Sequence, residues 1–198
     1  MKPILFSAPM IRAILDGRKT QTRRVLKVPE THGHFVGIYA PGLTAVFSHD
    51  VSVPHNDFSV RLIGKGTELW VRESFADTVG MGFDKRYHYA ADVKPGSESD
   101  QIRKDYGVKW KPSIHMPRAA SRITLRVTAV KVERLQDISE EDALAEGVGI
   151  MDPHHPPPPI RATYAEMYRD LWDSINGPGS WDANPWVVAY TFERVLPK

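Results

Sequence analysis

The chain reads as α+β: a small mixed sheet or barrel with short helices packed at its ends. Three observations lead there. Strand-like runs outnumber helical ones, the excursions between them are unequal in length, and helices do not alternate regularly with strands, which argues against a doubly wound sheet. With 198 residues, 41% of them hydrophobic and five of them Trp, the chain can bury a core, and wholesale disorder is not expected. Residues 1–198 are expected to form one domain with insertions at about 29–60, 93–113 and 150–185.

Residues 2–6 form a short strand. Ser7 then stands as an N-cap with Pro9 in the first turn, Met10, Ile11, Ile14 and Leu15 make an apolar stripe, and Gly17 ends the helix. The polar, β-branched and basic run 18–25 is a loop entering a strand. Residues 29–60 contain two weak strand runs, 34–40 and 43–48, around Pro41-Gly42, as expected of a hairpin insertion. Residues 64–67 turn into a strand at 68–73, with Leu69 and Val71 on one face and Trp70 and Arg72 on the other. A short strand follows at 87–91, and the charged, Gly- and Pro-marked stretch 93–113 is expected to be a flexible excursion.

The clearest strand is 121–135, where Ile123, Leu125 and Val127 alternate with polar residues until the Ala129-Val130 step breaks phase, as at a bulge. Ser139-Glu140-Glu141-Asp142 is a capping-box-like helix start that Gly147 ends. Pro153 to Pro159, with four consecutive prolines, is an extended linker or loop. Thr163 to Glu166 opens a second helix with the stripe Met167, Tyr168, Leu171, Trp172 and Ile175, stopped by Asn176-Gly177, and 186–195 is a last strand rich in aromatic and β-branched residues.

Zero cysteines exclude disulfides, thiolate metal sites and cysteine nucleophiles. No apolar run reaches the roughly 18 residues a membrane span needs, and the apolar start of the chain is too short for a secretory signal; a cytoplasmic location is the expectation. The formal charge of +2 is lopsided: +6 over 1–28, −3 over 29–99, +6 over 100–134 and −7 over 135–198. Two basic stretches in a near-neutral chain fit a face for phosphate-bearing partners, or equally an internal match to the acidic final third.

Several motifs fail. Gly17-Arg18-Lys19-Thr20 and Gly64-Lys65-Gly66-Thr67 lack the glycine spacing of a phosphate loop. The eight histidines, including His32/His34 and His154/His155, show no metal-ligand spacing, so neither metal nor cofactor is expected. No G-x-S-x-G of a serine hydrolase is present.

Four segments in order do carry a signal: Gly17 to Arg24 directly after a helix, Gly66 to Glu73, Lys111 to Arg118 with Ser121-Arg122, and Asp137 to Gly147. With the terminal strand, they resemble the ASCH family, a PUA-like β-barrel, and look most like its phage- and prophage-associated branch. The resemblance spans nearly the whole chain. A related, shorter branch comprises amidohydrolases that remove the acetyl group from N4-acetylcytidine, with a catalytic Lys and Thr in a G-R-K-T-x-T-x-R run and a Glu in a helix after the long strand. By that resemblance the catalytic positions fall on Lys19, Thr22 and Glu146, with Arg24 matching the last arginine of the run and Glu140 and Glu141 competing with Glu146. This chain is far longer than those enzymes, so its insertions could build or block a pocket.

Amide hydrolysis needs a nucleophile, a route for its proton and a donor for the developing oxyanion. Lys19, desolvated beside arginines, would have a depressed pKa and could accept the Thr22 proton, with Glu146 protonating the departing amine or holding the lysine. Equally, Glu146 could activate water while Lys19 stabilises the oxyanion. The same barrel offers a binding reading. Arg23, Arg24, Arg72, Arg118 and Arg122 would hold an RNA backbone, Trp70, Tyr87 or Tyr89 would stack a base, and Glu73 closes the Trp70/Arg72 segment. A plain structural role exists for each of these residues: Trp70 as core, Thr22 as a satisfied strand hydroxyl, Glu146 as a helix end. The expected partner is a modified nucleoside or RNA, with no membrane and no obligate protein partner.

Overall fold

The computed structural model describes residues 1–40, 43–49, 57–81, 85–149 and 162–196. In chain order the strands are β1 (Lys2–Leu5), β2 (Gln21–Val25), β3 (His34–Tyr39), β4 (Thr44–Ser48), β5 (Phe58–Arg61), β6 (Glu68–Arg72), β7 (Phe75–Asp77), β8 (Tyr87–Tyr89), β9 (Thr124–Arg134) and β10 (Trp186–Val195). The α-helices are α1 (Ala8–Leu15), α2 (Glu98–Asp105), α3 (Glu140–Ala145) and α4 (Tyr164–Asn176). The architecture is mixed α+β, as the sequence predicts. Strands β1, β6, β9, β10 and β2 hydrogen-bond in that order, and among the described residues the order is open, with β1 and β2 at its ends. A closed barrel is therefore not formed by these strands.

The chain divides into two compact units. One comprises Met1–Arg18, Glu68–Arg126 and Glu193–Lys198. Here β1 runs parallel to β6, and β6 pairs antiparallel with the start of β9. Helix α1 has its proline in the first turn and ends where Gly17 takes φ +75°, a left-handed conformation that costs a Cβ-bearing residue more. Its stripe is half as expected: Ile11 and Ile14 are buried, but Ala13 rather than Met10 joins them. Leu69 and Val71 are buried on one face of β6, in the expected alternation. Strands β7 and β8 pair antiparallel, and Phe75 of β7 is buried with Met116 and Ala120, with Tyr87 and Tyr89 packed against them.

The stretch expected to be a flexible excursion instead contains α2. Ser97 Oγ accepts from the Asp100 N–H, acids stand in the first turn and Arg103 and Lys104 in the last, so local capping and dipole complementarity make a helix with little apolar content.

The other unit comprises Lys19–Thr67 and Val127–Phe192. Strand β2 pairs antiparallel with β10. The insertion hairpin is observed as β3 and β4, with β5 added as a third strand that the sequence pattern did not reveal. Its Pro41-Gly42 turn lies outside the described residues, as do the proline run 153–159 and His154/His155. Phe35, Phe47 and Trp186 pack ring against ring at centroid distances of 5.4–5.6 Å. Helix α4 starts with a full capping box between Thr163 and Glu166. It buries Tyr168 and Trp172 against Leu135, Ile138, Ala143 and Val187, each large side chain contributing about 1.5–3 kcal/mol. This packing holds α3 beside β2.

Candidate functional site

Backbone pairing brings the basic N-terminal run to the end of α3. The Thr20 N–H donates to the Ala145 carbonyl at 2.8 Å, and the Thr20 carbonyl accepts from Phe192 N–H at 2.8 Å. Residue 19 is thereby placed against the C-cap of α3, which is Glu146. Lys19 Nζ donates to Glu146 Oε2 at 2.6 Å and to the Glu146 backbone carbonyl at 2.8 Å. The two residues are 127 positions apart and only 2% and 3% exposed.

The second Glu146 oxygen accepts from Arg23 Nη1 at 3.2 Å. Arg23 is itself fully engaged. Its Nε and Nη2 donate to Glu133 Oε1 at 3.0 and 2.7 Å, Nη2 also donates to Asp142 Oδ2 at 2.8 Å, and Nη1 donates to Gln21 Oε1. Gln21 Nε2 donates to Asp142 Oδ1 at 3.0 Å, and Lys131 Nζ closes the network on Glu133 Oε2 at 2.6 Å. Alternation along β2 explains the division of labour. Gln21 and Arg23 share one strand face and meet the acids, whereas Thr22 and Arg24 share the other. Thr22, 1% exposed, accepts on Oγ1 from Arg24 Nη1 at 2.9 Å.

The electrostatics follow from burial. Desolvation lowers the Lys19 pKa below its ordinary value, and the Glu146 charge and hydrogen bond oppose this. Burial likewise lowers Arg24. For Arg23 burial acts in the same sense but is outweighed by Glu146 and Glu133, and the net change is upward. The Tyr168 phenol, buried beside this cluster, is pushed up by desolvation and then by the Glu146 carboxylate, to which it hydrogen-bonds. The arrangement is a buried, charge-rich cluster that holds a lysine of weakened basicity in contact with a carboxylate, with the Thr22 hydroxyl buried on the opposite face of β2 from Arg23.

The structure thus brings Lys19 and Glu146 into direct contact and ties Thr22 to Arg24. Glu140 is used elsewhere: its carboxylate accepts from the Tyr164 and Ala165 N–H groups at 2.7 and 3.2 Å, at the start of α4. Glu141 is exposed. Glu133, Asp142, Gln21, Lys131 and Tyr168 were not singled out from the sequence. Asp142 lies in a segment the sequence marks as a helix start, but nothing in the strand pattern of β9 signals that Glu133 points inward.

The other expected ligand-binding residues lie in the first unit. Trp70 is half-buried, with the Arg72 guanidinium 5.0 Å and the Arg118 guanidinium 5.9 Å from its ring centre. Arg72 Nε donates to the Met116 carbonyl at 3.1 Å. Arg122 grips Glu73 through Nε and Nη2 at 2.9 and 3.0 Å, and Asp92 through Nη1 and Nη2 at 2.7 and 2.8 Å. Four of its five in-plane N–H donors therefore serve carboxylates of this chain, not a phosphate.

Among the described residues, no group of three or more His, Asp or Glu could hold a metal ion, and no helix is long and apolar enough to cross a membrane. No family model matches the chain, and no curated protein does. Among solved structures, the crystal structure of protein EF3133 from Enterococcus faecalis V583, described under the family model DUF984, is similar over 98% of this chain and 81% of that one, at 13% identity and a TM-score of 0.42.

Proposed function

We propose that this is an ASCH-type, PUA-like protein of the phage- and prophage-associated kind that hydrolyses the exocyclic amide of an N4-acetylcytidine-like nucleoside, free or within RNA, in the cytoplasm. The observation that carries this reading is the buried 2.6 Å contact between Lys19 and Glu146, with Thr22 three residues on in β2. Burial lowers the Lys19 pKa against the opposing pull of Glu146, the direction that suits a lysine to proton transfer.

The reaction then runs in two displacements. The Lys19 amine takes the Thr22 hydroxyl proton as Oγ1 attacks the acetyl carbon, and Arg24, already donating to that oxygen, offsets its growing negative charge. The tetrahedral adduct expels the N4 nitrogen, which takes the proton back from Lys19, leaving acetyl-Thr22 and cytidine. Water next gives a proton to Lys19 and attacks the acyl carbon. Oγ1 departs and recovers that proton, and acetic acid is released. Glu146 keeps the ammonium paired during each transfer. In the water-first version of the chemistry, Glu146 is the base and Thr22 forms no covalent bond.

The test is incubation of the purified protein with N4-acetylcytidine, with cytidine release followed chromatographically. Wild-type turnover is expected, with Lys19→Met and Thr22→Val both losing about 100-fold or more while retaining their circular dichroism spectra. Turnover surviving in Thr22→Val while Lys19→Met is inactive selects the water-first route. No release by wild type from the nucleoside or from acetylated RNA ends the hydrolase reading.

A second reading, a non-catalytic RNA-binding module, draws on the Trp70 platform. Arg72 and Arg118 both lie over its ring, and among the described residues neither is in an ion pair with a carboxylate. RNA affinity falling steeply with salt, and weakened by Arg118→Ala without change in any hydrolysis, would favour it.

A further inference from the structure

The first unit contains a cleft that the chemistry above does not use. Two adjoining cavities, of about 480 and 230 Å³, share His88 and Val93 as common walls. Their combined size is that of a pocket for a small organic molecule. The larger cavity is lined by Tyr87, Tyr89, Asp92 and Arg122, with Lys85 at its edge. The smaller is lined by Ile102, Val108 and Trp110, and Arg103 lies 5.1 Å above the Trp110 ring.

Arg122 sets what this cleft can recognise. Two carboxylates occupy four of its five N–H donors in the plane of the guanidinium, so apart from one Nη1 N–H the group has its flat faces left to offer. One face is covered by the Tyr89 ring, whose centre is 3.9 Å away. Tyr89 is fixed in turn by its hydroxyl, which donates to the Ala120 carbonyl at 2.9 Å. The Arg122 side chain keeps 26% exposure and lines the cavity, which leaves its second face as a rigid platform for a planar ring.

The charges around the platform balance. Arg122 is matched by buried Glu73 and half-exposed Asp92, and Lys85 adds one cation, which among the described residues forms no ion pair. A ligand with a strong net charge gains nothing from this set, whereas one edge bearing both a donor and an acceptor can use Asp92 and Lys85 together. Each Asp92 oxygen accepts one bond from Arg122 and retains a second lone pair.

We propose that this cleft binds an uncharged planar nitrogen heterocycle with an amide-like donor–acceptor edge, stacked on Arg122 between Asp92 and Lys85, with any apolar substituent directed to Trp110. The site is independent of the Lys19–Glu146 chemistry and stands or falls without it.

The test uses the full chain and three fused-ring probes of similar size: quinolin-2-one (neutral lactam), 2-naphthoate (anion) and naphthalene-2-carboxamidine (cation). Calorimetry is expected to show saturable binding of the lactam with a dissociation constant at or below about 1 mM, and weaker binding of both charged rings. Lys85→Met and Asp92→Asn should each weaken the lactam about tenfold, the size of a lost hydrogen bond to a charged group. A 4-phenyl lactam should bind more tightly than its parent, with Trp110→Ala abolishing the gain. Lys85 is exposed, so its variant tests the edge without risk to the fold. Preference for either charged ring, lactam binding indifferent to Lys85→Met, or no binding of any probe overturns the proposal.

Discussion

Replacing Glu146 by Gln is the sharpest perturbation of the buried cluster, because it preserves shape and removes only charge and acceptor capacity. In wild type one oxygen faces Lys19 at 2.6 Å and the other faces Arg23 at 3.2 Å. Whichever way the amide is turned, its NH₂ meets a donor. Lys19 and Arg23 are each 2% exposed, so water cannot replace the lost partner. Removing one member of such a pair costs about 3–5 kcal/mol. At about 2–4 °C per kcal/mol for a chain of this size, the melting temperature should fall by about 6–20 °C. Urea unfolding followed by tryptophan fluorescence measures the same loss. An internal control is Asp16→Asn, which breaks the solvent-exposed Arg18–Asp16 pair at 3.0 Å and should cost less than about 1 kcal/mol. If Glu146→Gln costs no more than that control, Lys19 and Arg23 are not held as charged groups in a dry site, and the electrostatic argument is wrong.

Two further outcomes follow from the same physical reasoning. Burial puts the folded-state pKa of Lys19 below its ordinary value of 10.5; between the two values the unfolded chain binds more protons, so stability rises with pH across that window, and Lys19→Met should flatten the rise in denaturation curves taken at successive alkaline pH values. Gly149 has φ +104°, and a Cβ there would lie 2.7 Å from Tyr164 Cε1, so Gly149→Ala should destabilise by at least about 1 kcal/mol and shift the melting curve accordingly, whereas Gly66→Ala, also at positive φ but with open space around it, should pay the backbone strain alone.

Much of this architecture was legible because its signals are local. The Ser7/Pro9/Gly17 punctuation of α1, the alternation of Leu69 and Val71 on β6 and the Thr163–Glu166 box of α4 each act within a few residues. Helix α2 escaped because it lacks the apolar stripe that marks a buried helix and is specified instead by its Ser97 cap and its charge arrangement. The meeting of Lys19 and Glu146 was accessible only through family resemblance, since no periodicity links positions 127 apart. Arg23 and Arg122 show the converse. As basic residues in basic stretches they read as phosphate contacts, yet each is enclosed by carboxylates drawn from distant segments: Glu133, Asp142 and Glu146 in one case, Glu73 and Asp92 in the other. The acidic final third of the chain is thus partly the internal counterion of its basic start.

Buried ion pairs are poor devices for stability, because desolvating two charges consumes most of what their attraction returns. That argument separates a structural from a chemical role for Lys19 and Glu146. The double variant Lys19→Met/Glu146→Leu removes both charges and refills the space with apolar side chains. Arg23 retains Glu133 and Asp142, so its guanidinium stays paired, although Arg24 and Tyr168 lose the Glu146 charge beside them. Its stability should therefore lie within about 1–2 kcal/mol of wild type, and well above that of Glu146→Gln, while any hydrolysis is abolished. A pair kept for its chemistry gives that result, since the fold loses little by its absence. If the double variant is instead as unstable as Glu146→Gln alone, then the pair fixes the junction of α3 with β2 through its own hydrogen bonds, and its burial needs no catalytic explanation.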